Sequence, residues 1–281
     1  MENFGDTQKS LLVGAAAFLA GGLAVYSLNK ATAKPVETPT NDDSLGLERQ
    51  SSMINSSMDI FIRYLRKAKN HAKNGKEPLC IALGNTSGDM DSIVGALGMA
   101  YFLTLKTHKI WIPLVNCNKD ELELKPEIYG HLISDCKIPI DDLLFYDELL
   151  SYKRKYAEFG LIDHNRMDDS QARSFSQDGT GEDVHNLVTH VWDHHACTGS
   201  YDFSHLHDYQ VRFMGSACSI LVIKMRLDIS MYNMELFNQK NEKNFAYLLG
   251  AAISLDTHNF LETYRNTKWS IEDEESMQWL R

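Results

Sequence analysis

The chain has 281 residues, 43% of them hydrophobic and 23% charged, and a formal net charge of −10. That length supports one large domain or two smaller ones around a sizeable core. The acidic balance argues against nucleic-acid binding through a broad basic surface, but it is compatible with an anionic substrate held through cations that carboxylates gather. The five cysteines (Cys80, Cys117, Cys136, Cys197 and Cys218) are odd in number and contain no Cys-x-x-Cys unit. They read as reduced thiols of a cytosolic-type compartment, not as a disulfide framework or a structural zinc site.

The first unusual segment, within residues 1–30, is "LLVGAAAFLAGGLAVYSL", uncharged from Leu11 to Leu28. It is at the lower end of the ~17–25 residues that cross a bilayer as a helix. Ala16, Ala20 and Ala24 recur at a spacing that suits close helix packing in lipid. Lys30 and Lys34 on the far side, against Lys9 on the near side, favour a cytosolic C-terminal part. The segment therefore predicts an apolar N-terminal helix that anchors a cytoplasmic catalytic domain to a membrane. Residues 31–52, rich in Pro, Thr, Asp and Ser, read as a flexible tether.

The folded part is expected from Met53. Ile60, Phe61, Tyr64, Leu65 and Ala68 have helical spacing, closed by Asn74-Gly75. "PLCIAL" reads as a strand, "SIVGALGMAYFLTLK" as a helix, "IWIPLVN" as a strand and "LLFYDEL" as another. "FGLIDHN" and "LVTHVWDHH" are two further strands, each ending in a polar cluster, with "DDSQARSFSQDGTGEDVHN" between them as an exposed loop. "SACSILVIKMRL" and "NFAYLLGAAISLDTHNF" are mostly helical. Strands alternating with helices predict an α/β fold, a parallel sheet with helices on both faces.

In such a sheet, ligands bind beyond the carboxyl ends of the strands. Four segments end in metal-type ligands there: "GNTSGDMDS" with Asp89 and Asp91, "LIDHN" with Asp163, "VWDHH" with Asp193, His194 and His195, and "SLDTHN" with Asp256. Each also has a plain structural role open to it. Asp91 or Ser92 can cap a helix, Asp163 and Asp256 can end an element as turn residues, and the two histidines can be ordinary half-buried side chains. Gathered in one cleft, so many carboxylates repel one another unless cations lie between them. Carboxylates with a few imidazoles and no thiolate suit manganese or magnesium. Two such ions ~3.5–4 Å apart can activate a hydroxide and polarise a phosphoryl oxygen. That chemistry is hydrolysis of a phosphoanhydride or phosphoester.

The order and wording of the stretches "GNTSGDMDSIVGAL", "LIDHN", "VWDHHACTG", "GSACSILV" and "LLGAAISLDTHNF" resemble the DHH phosphoesterase superfamily, and within it the branch of exopolyphosphatases and prune-type phosphatases. The resemblance covers about Leu79 to Phe260 and implies a catalytic domain over residues 53–262. It implies that Asp89 ligates a first Mn2+ or Mg2+ ion and Asp91, His194 and Asp256 a second, with Asp163 shared between them. It implies that His195, catalytic with Asp163, meets substrate phosphate, and that Asp193 supports the histidine pair. Asn85 stands where family II pyrophosphatases carry a histidine, which is the exopolyphosphatase pattern and places it beside substrate. The implied partner is a phosphate-containing small molecule or short polyphosphate.

The implied function is hydrolysis of phosphoanhydride bonds. A metal-binding regulatory protein of weak activity, or a nucleotide or cyclic-nucleotide phosphodiesterase, are the alternatives. Small residues in "GSACSIL" leave two roles open, backbone amides that hold phosphate or close packing by Gly215 and Ala217. Relatives carry a further C-terminal domain with basic residues, and residues 263–281 resemble only its start. Weak processive action on long polyphosphate is therefore expected.

Overall fold

Residues 60–197, 205–232 and 243–281 are described by the computed structural model. They fall within one unit, Ile54–Arg281. Helix α1 (60–74) leads into β1 (Leu79–Leu83), an apolar run buried at every position. Continuous burial of this kind belongs to a strand covered on both faces. Helix α2 (Met90–Thr107) follows and leads to β2 (Trp111–Leu114). The short helices α3 (Lys119–Glu123), α4 (Pro126–Tyr129) and α5 (Tyr146–Ser151) connect to β3 (Tyr156–Ile162). Helices α6 (Asp169–Phe175) and α7 (Glu182–His185) connect to β4 (Val188–Asp193), which precedes β5 (Asp208–Val211). Helices α8 (Ala217–Tyr232), α9 (Lys243–Asp256) and α10 (Ile271–Leu280) complete the described chain.

The five strands form one sheet in the order β2-β1-β3-β4-β5, and every pair is parallel. The predicted α/β class with a parallel sheet is therefore what the chain adopts. Period-2 alternation along β3 sends neighbouring residues to opposite layers. Phe159 packs on Phe175 of α6, with ring centroids 5.3 Å apart. A Cβ at Gly160 would lie 2.8 Å from Met99 Cε on α2. Helix α2 is buried without a break from Met90 to Leu103, as befits a helix enclosed by strands on one side and by α8 and α9 on the other.

The strand order also sets where a site can form. The connection from β1 moves outward to β2, and the next returns past β1 to β3. The loops after β1 and β3 thus part at the carboxyl edge and leave a crevice.

Three sequence expectations need correction or extension. "LLFYDEL" is not a strand: Phe145 makes one isolated parallel bridge to Val115, and Tyr146–Ser151 is helical. Asp147 and Glu148 in the first turn favour that helix start. The expected loop between β3 and β4 contains α6 and α7. Asp168 caps α6 by accepting from Ser170 N and Gln171 N, and Ala172 and Phe175 are buried one turn apart. Strand β5 was not foreseen, because it has only four residues, all half-exposed, too few for its polar–apolar alternation to stand out.

The expected membrane-anchored localisation is also corrected. Among the described residues no helix is long and apolar enough to cross a membrane. The longest described helix, α2, turns its apolar surface into the core, and it carries Asp91 and Lys106. The Leu11–Leu28 segment, its apolar helix and the tether at 31–52 lie outside the described residues.

Gly84 joins β1 to the loop below α2, and a Cβ there would collide with the Ser92 backbone carbonyl. Gly84→Ala is therefore expected to destabilise the fold by about 1–3 kcal/mol through overpacking. Urea unfolding should show a lower midpoint with an unchanged slope.

Candidate metal centre

Asp163 follows the last residue of β3 with φ of +65°, a left-handed backbone that few residues other than glycine adopt. The surroundings hold it there. Its N–H donates to Trp192 O at 2.9 Å, and its own carbonyl accepts from Asn85 Nδ2 at 3.1 Å. Its Oδ2 accepts from Asn85 Nδ2 at 2.9 Å and from Ser92 Oγ at 2.6 Å. The left-handed turn at the strand end thus carries the carboxylate into the crevice, with one oxygen held by α2 and the β1 loop. The other oxygen, Oδ1, lies 3.0 Å from His194 Nε2.

His194 and His195 leave the end of β4. The Nδ1 of His194 is 3.1 Å from Met214 O. A proton on Nδ1 satisfies that carbonyl and leaves Nε2 with its lone pair, which is the tautomer a metal ion needs. Nε2 also lies 3.8 Å from Asp91 Oδ2. The His195 Nδ1 lies 2.8 Å from Asp193 Oδ1, and the ring is half-exposed. Asp193 is fully buried behind it, and its second oxygen accepts from Asn165 Nδ2 at 2.5 Å.

Asp91, in the first turn of α2, is buried and faces the start of α8. Its carboxylate accepts from Ser216 Oγ and Ala217 N, each at 2.6 Å, and from Cys218 N at 3.1 Å. Of the two roles open to "GSACSIL", the amides of Ala217 and Cys218 are thus engaged by a carboxylate. Gly215 serves close packing, since a Cβ there would lie 2.5 Å from Lys268 O. Asp89 is the residue that caps α2, accepting from Ser92 N at 2.9 Å. Asn85 turns its amide onto Asp163, while its Oδ1 accepts from Ser87 N at 2.8 Å.

Two groups of ligand atoms result. Asp163, His194 and His195 form one, and Asp91, His194 and Asp256 the other, with the atoms of each within 4.8 Å of one another. Asp256 is the last residue of α9, and it shares a hydrogen bond with Asp91. Asp89 belongs to neither trio but lines the same cleft of about 360 Å³, together with Asp163, His194, His195 and Asp256. These acidic and histidine clusters are of the kind that hold divalent metal ions.

The electrostatics point the same way. Burial, then the neighbouring Asp91 charge, pushes the Asp256 carboxyl up to about 10. Burial also raises Asp163 to about 6, with Asp91 adding to the shift and the His194 hydrogen bond opposing it. Burial works against a charged His194, but its bond to Asp163 and the Asp91 charge outweigh that and raise it to about 9. Protons therefore hold the place between these carboxylates that a cation would take. His195 is raised chiefly by its bond to Asp193.

The sequence reasoning passed over several residues here. Asn165, two places after Asp163, orients Asp193, and Ser92, which the sequence offered only as a helix cap, orients Asp163. His258, Thr267 and Lys268 line the cleft from beyond α9. His258, Asn259 and Phe260 all have positive φ, at 51°, 53° and 57°. This left-handed turn, which no local pattern announces, carries the chain back over the site.

A parallel α/β sheet with carboxylate–histidine groups at its switch point is an arrangement able to hold metal ions. No protein-family model matches the chain. Curated relatives do match. The chain is 34% identical over 106 residues to "Exopolyphosphatase PRUNE1" of Mus musculus, covering 36% of this chain and 23% of that protein. For the Homo sapiens protein of the same name the identity is 32% over 118 residues, 40% of this chain and 25% of the relative. For that of Rattus norvegicus it is 33% over 120 residues, 41% and 25%. The chain thus spans about a quarter of the length of the curated relatives it matches. These matches support a relationship to the DHH, prune-like family.

Asp163, Asp256 and His194 all bind protons more tightly when folded than unfolded. The carboxyl contributions to stability are full below about pH 4, and the histidine contribution below about pH 6.5. They are lost as pH rises through about 6 for Asp163, about 9 for His194 and about 10 for Asp256. In chelator, the thermal midpoint should fall between about pH 4 and about pH 10 as this cluster loses its protons. Asp256→Asn should flatten that fall, and Mn2+ should raise the parent's midpoint more at the alkaline end. A parent and variant with the same pH profile would refute the electrostatic coupling.

Proposed function

We propose that the chain is a metal-dependent phosphohydrolase of the exopolyphosphatase type, cleaving phosphoanhydride bonds of short polyphosphates. The observation that carries this reading is the convergence of two ligand trios on His194, at the ends of β3, β4 and α9. The similarity to exopolyphosphatases supports the substrate class.

In this reading Asp89, Asp91, Asp163, His194 and Asp256 hold two Mn2+ or Mg2+ ions. Nε2 of His194 has one lone pair and can serve a single ion, so a carboxylate with two oxygens, Asp163, is the group suited to both. Asp89 completes the first site, and Asp91, His194 and Asp256 form the second. The donor set favours hard cations. The nearby Cys218 thiol is pushed well up by burial and supplies no thiolate. When bound, such ions supply Lewis acidity at a phosphoryl oxygen and lower the pKa of water.

The chain's own residues do the rest. Ser92 and Asn85 fix one oxygen of Asp163, so that the other stays toward His194. Asp256 and His194 give up their protons as cations enter. The bond to Asp193 favours the cationic form of His195, in a position to meet a phosphate oxygen. Lys268 adds a positive charge at the cleft wall, and Thr267 offers a hydrogen-bonding group.

Phosphate release from tripolyphosphate with Mn2+ tests the assignment. Asp163→Ala should lower kcat/KM by more than about 100-fold, and Asp193→Asn, acting through His195, by about 10–100-fold. Full release by Asp163→Ala would overturn the ligand assignment. Metal binding without release by the parent would instead favour a binding protein. Lys268→Met should act mainly on KM, as expected for a group that binds substrate without touching the reacting atoms.

A further inference from the structure

A second cluster of metal-type ligands lies toward the amino ends of the strands. Glu158 in β3, His190 in β4 and His207, next to the first residue of β5, each offer a ligand atom, and these lie within 4.8 Å of one another. Glu158 precedes Asp163 by five residues and His190 precedes Asp193 by three. At the rise of a strand, this places the two clusters roughly 10–17 Å apart. Neither the sheet-end centre nor the proposed hydrolysis uses these three residues.

We infer that Glu158, His190 and His207 form a separate site for a borderline transition-metal cation such as zinc. Two imidazoles and one carboxylate are a recognised zinc donor set, unlike the oxygen-rich groups at the carboxyl edge. Two of the donors are already in a suitable state. His190 is buried, and burial pushes it down to about 4, so its imidazole is neutral and has no proton to release. Its ring is held edge-on to Trp111, with centroids 5.3 Å apart, and Thr189 Oγ1 lies 2.9 Å from Nδ1.

Burial works against a charged Glu158, but Lys109 outweighs it and keeps the carboxyl below its usual range. Lys109 Nζ sits 2.5 Å from Oε1. That leaves Oε2 on the side of His207, whose Nδ1 is 3.8 Å away. The His207 side chain is 61% exposed, which gives an ion a route in and room for water as a further ligand.

The location gives the site a structural consequence. The three ligands come from β3, β4 and the entry to β5, and β5 is a four-residue edge strand with no fully buried residue. A cation there would tie that edge to the interior of the sheet. The stabilisation would come from binding the folded state alone.

The test uses the full chain, stripped with chelator and dialysed against zinc. Bound metal is measured per chain, and the thermal midpoint is read with and without zinc. The parent is expected to hold one more zinc than His207→Ala, and its zinc-induced midpoint shift should be larger. Asp163→Ala should keep that zinc equivalent, because it alters only the other centre. His207 is exposed, so its replacement should leave the fold and the Mn2+-dependent phosphate release intact. Glu158→Gln, of nearly equal volume, provides a second variant that should lose the same equivalent. Equal zinc content in the parent and both variants would overturn the site. The readout is bound zinc, so a parent unable to cleave tripolyphosphate would leave this result decisive.

Discussion

Mutual repulsion among buried carboxylates is the constraint around which the site is organised. The Asp91 charge lies close enough to Asp163 and Asp256 to raise their proton affinity, in surroundings where burial already penalises charge. Such a cluster persists only where each member is tied down by donors. Asp91 rests on the hydroxyl and amides at the start of α8. Asp163 rests on Asn85 and Ser92. The remaining charge calls for a positive partner, a proton or a divalent ion. The hydrogen bonds that orient the carboxylates thus also keep them poised for a cation.

The sheet topology is what brings these groups together. Reversal of direction between β1 and β3 opens the crevice, and the left-handed turn at Asp163 aims a carboxylate into it. Helix α2 links the two halves of the arrangement. Its cap, Asp89, faces the cleft, and its first-turn Asp91 anchors α8. Helix α10 contributes from behind, where the buried Asp273 accepts from Gly215 N at 2.8 Å. That contact holds the Met214–Gly215 segment, whose carbonyl in turn fixes the His194 ring.

The two ligand clusters differ in ways that follow from their positions on the sheet. Beyond the carboxyl edge, loops and helix starts supply oxygen donors around an open cleft. Within the sheet, toward the amino end of β4, burial keeps the His190 imidazole neutral and outweighs the opposing charges of Asp208 and Glu158. One sheet can in this way present a hard-cation centre at one end and a softer nitrogen-rich set at the other.

The α/β class, the parallel strands β1 to β4 and the cleft residues Asp89, Asp163, His194, His195 and Asp256 were legible in the sequence, because each rests on local patterning. Continuous apolar runs marked the buried strands, and ligand residues stood at their ends in order. Strand β5 and helices α6 and α7 were not legible. Half-exposed edge strands and short capped helices leave little periodic signal, and "LLFYDEL" was misread because a buried apolar run can be either strand or helix. The tertiary structure alone decided which partners each ligand keeps. Asp91 caps α8 across 125 residues of sequence, Ser92 and Asn85 reach Asp163, and Lys268 returns to the cleft. Spacing along a chain records the geometry of one element, whereas these contacts depend on how distant elements pack. Glu158, His190 and His207 are distant in sequence and become neighbours only through strand order.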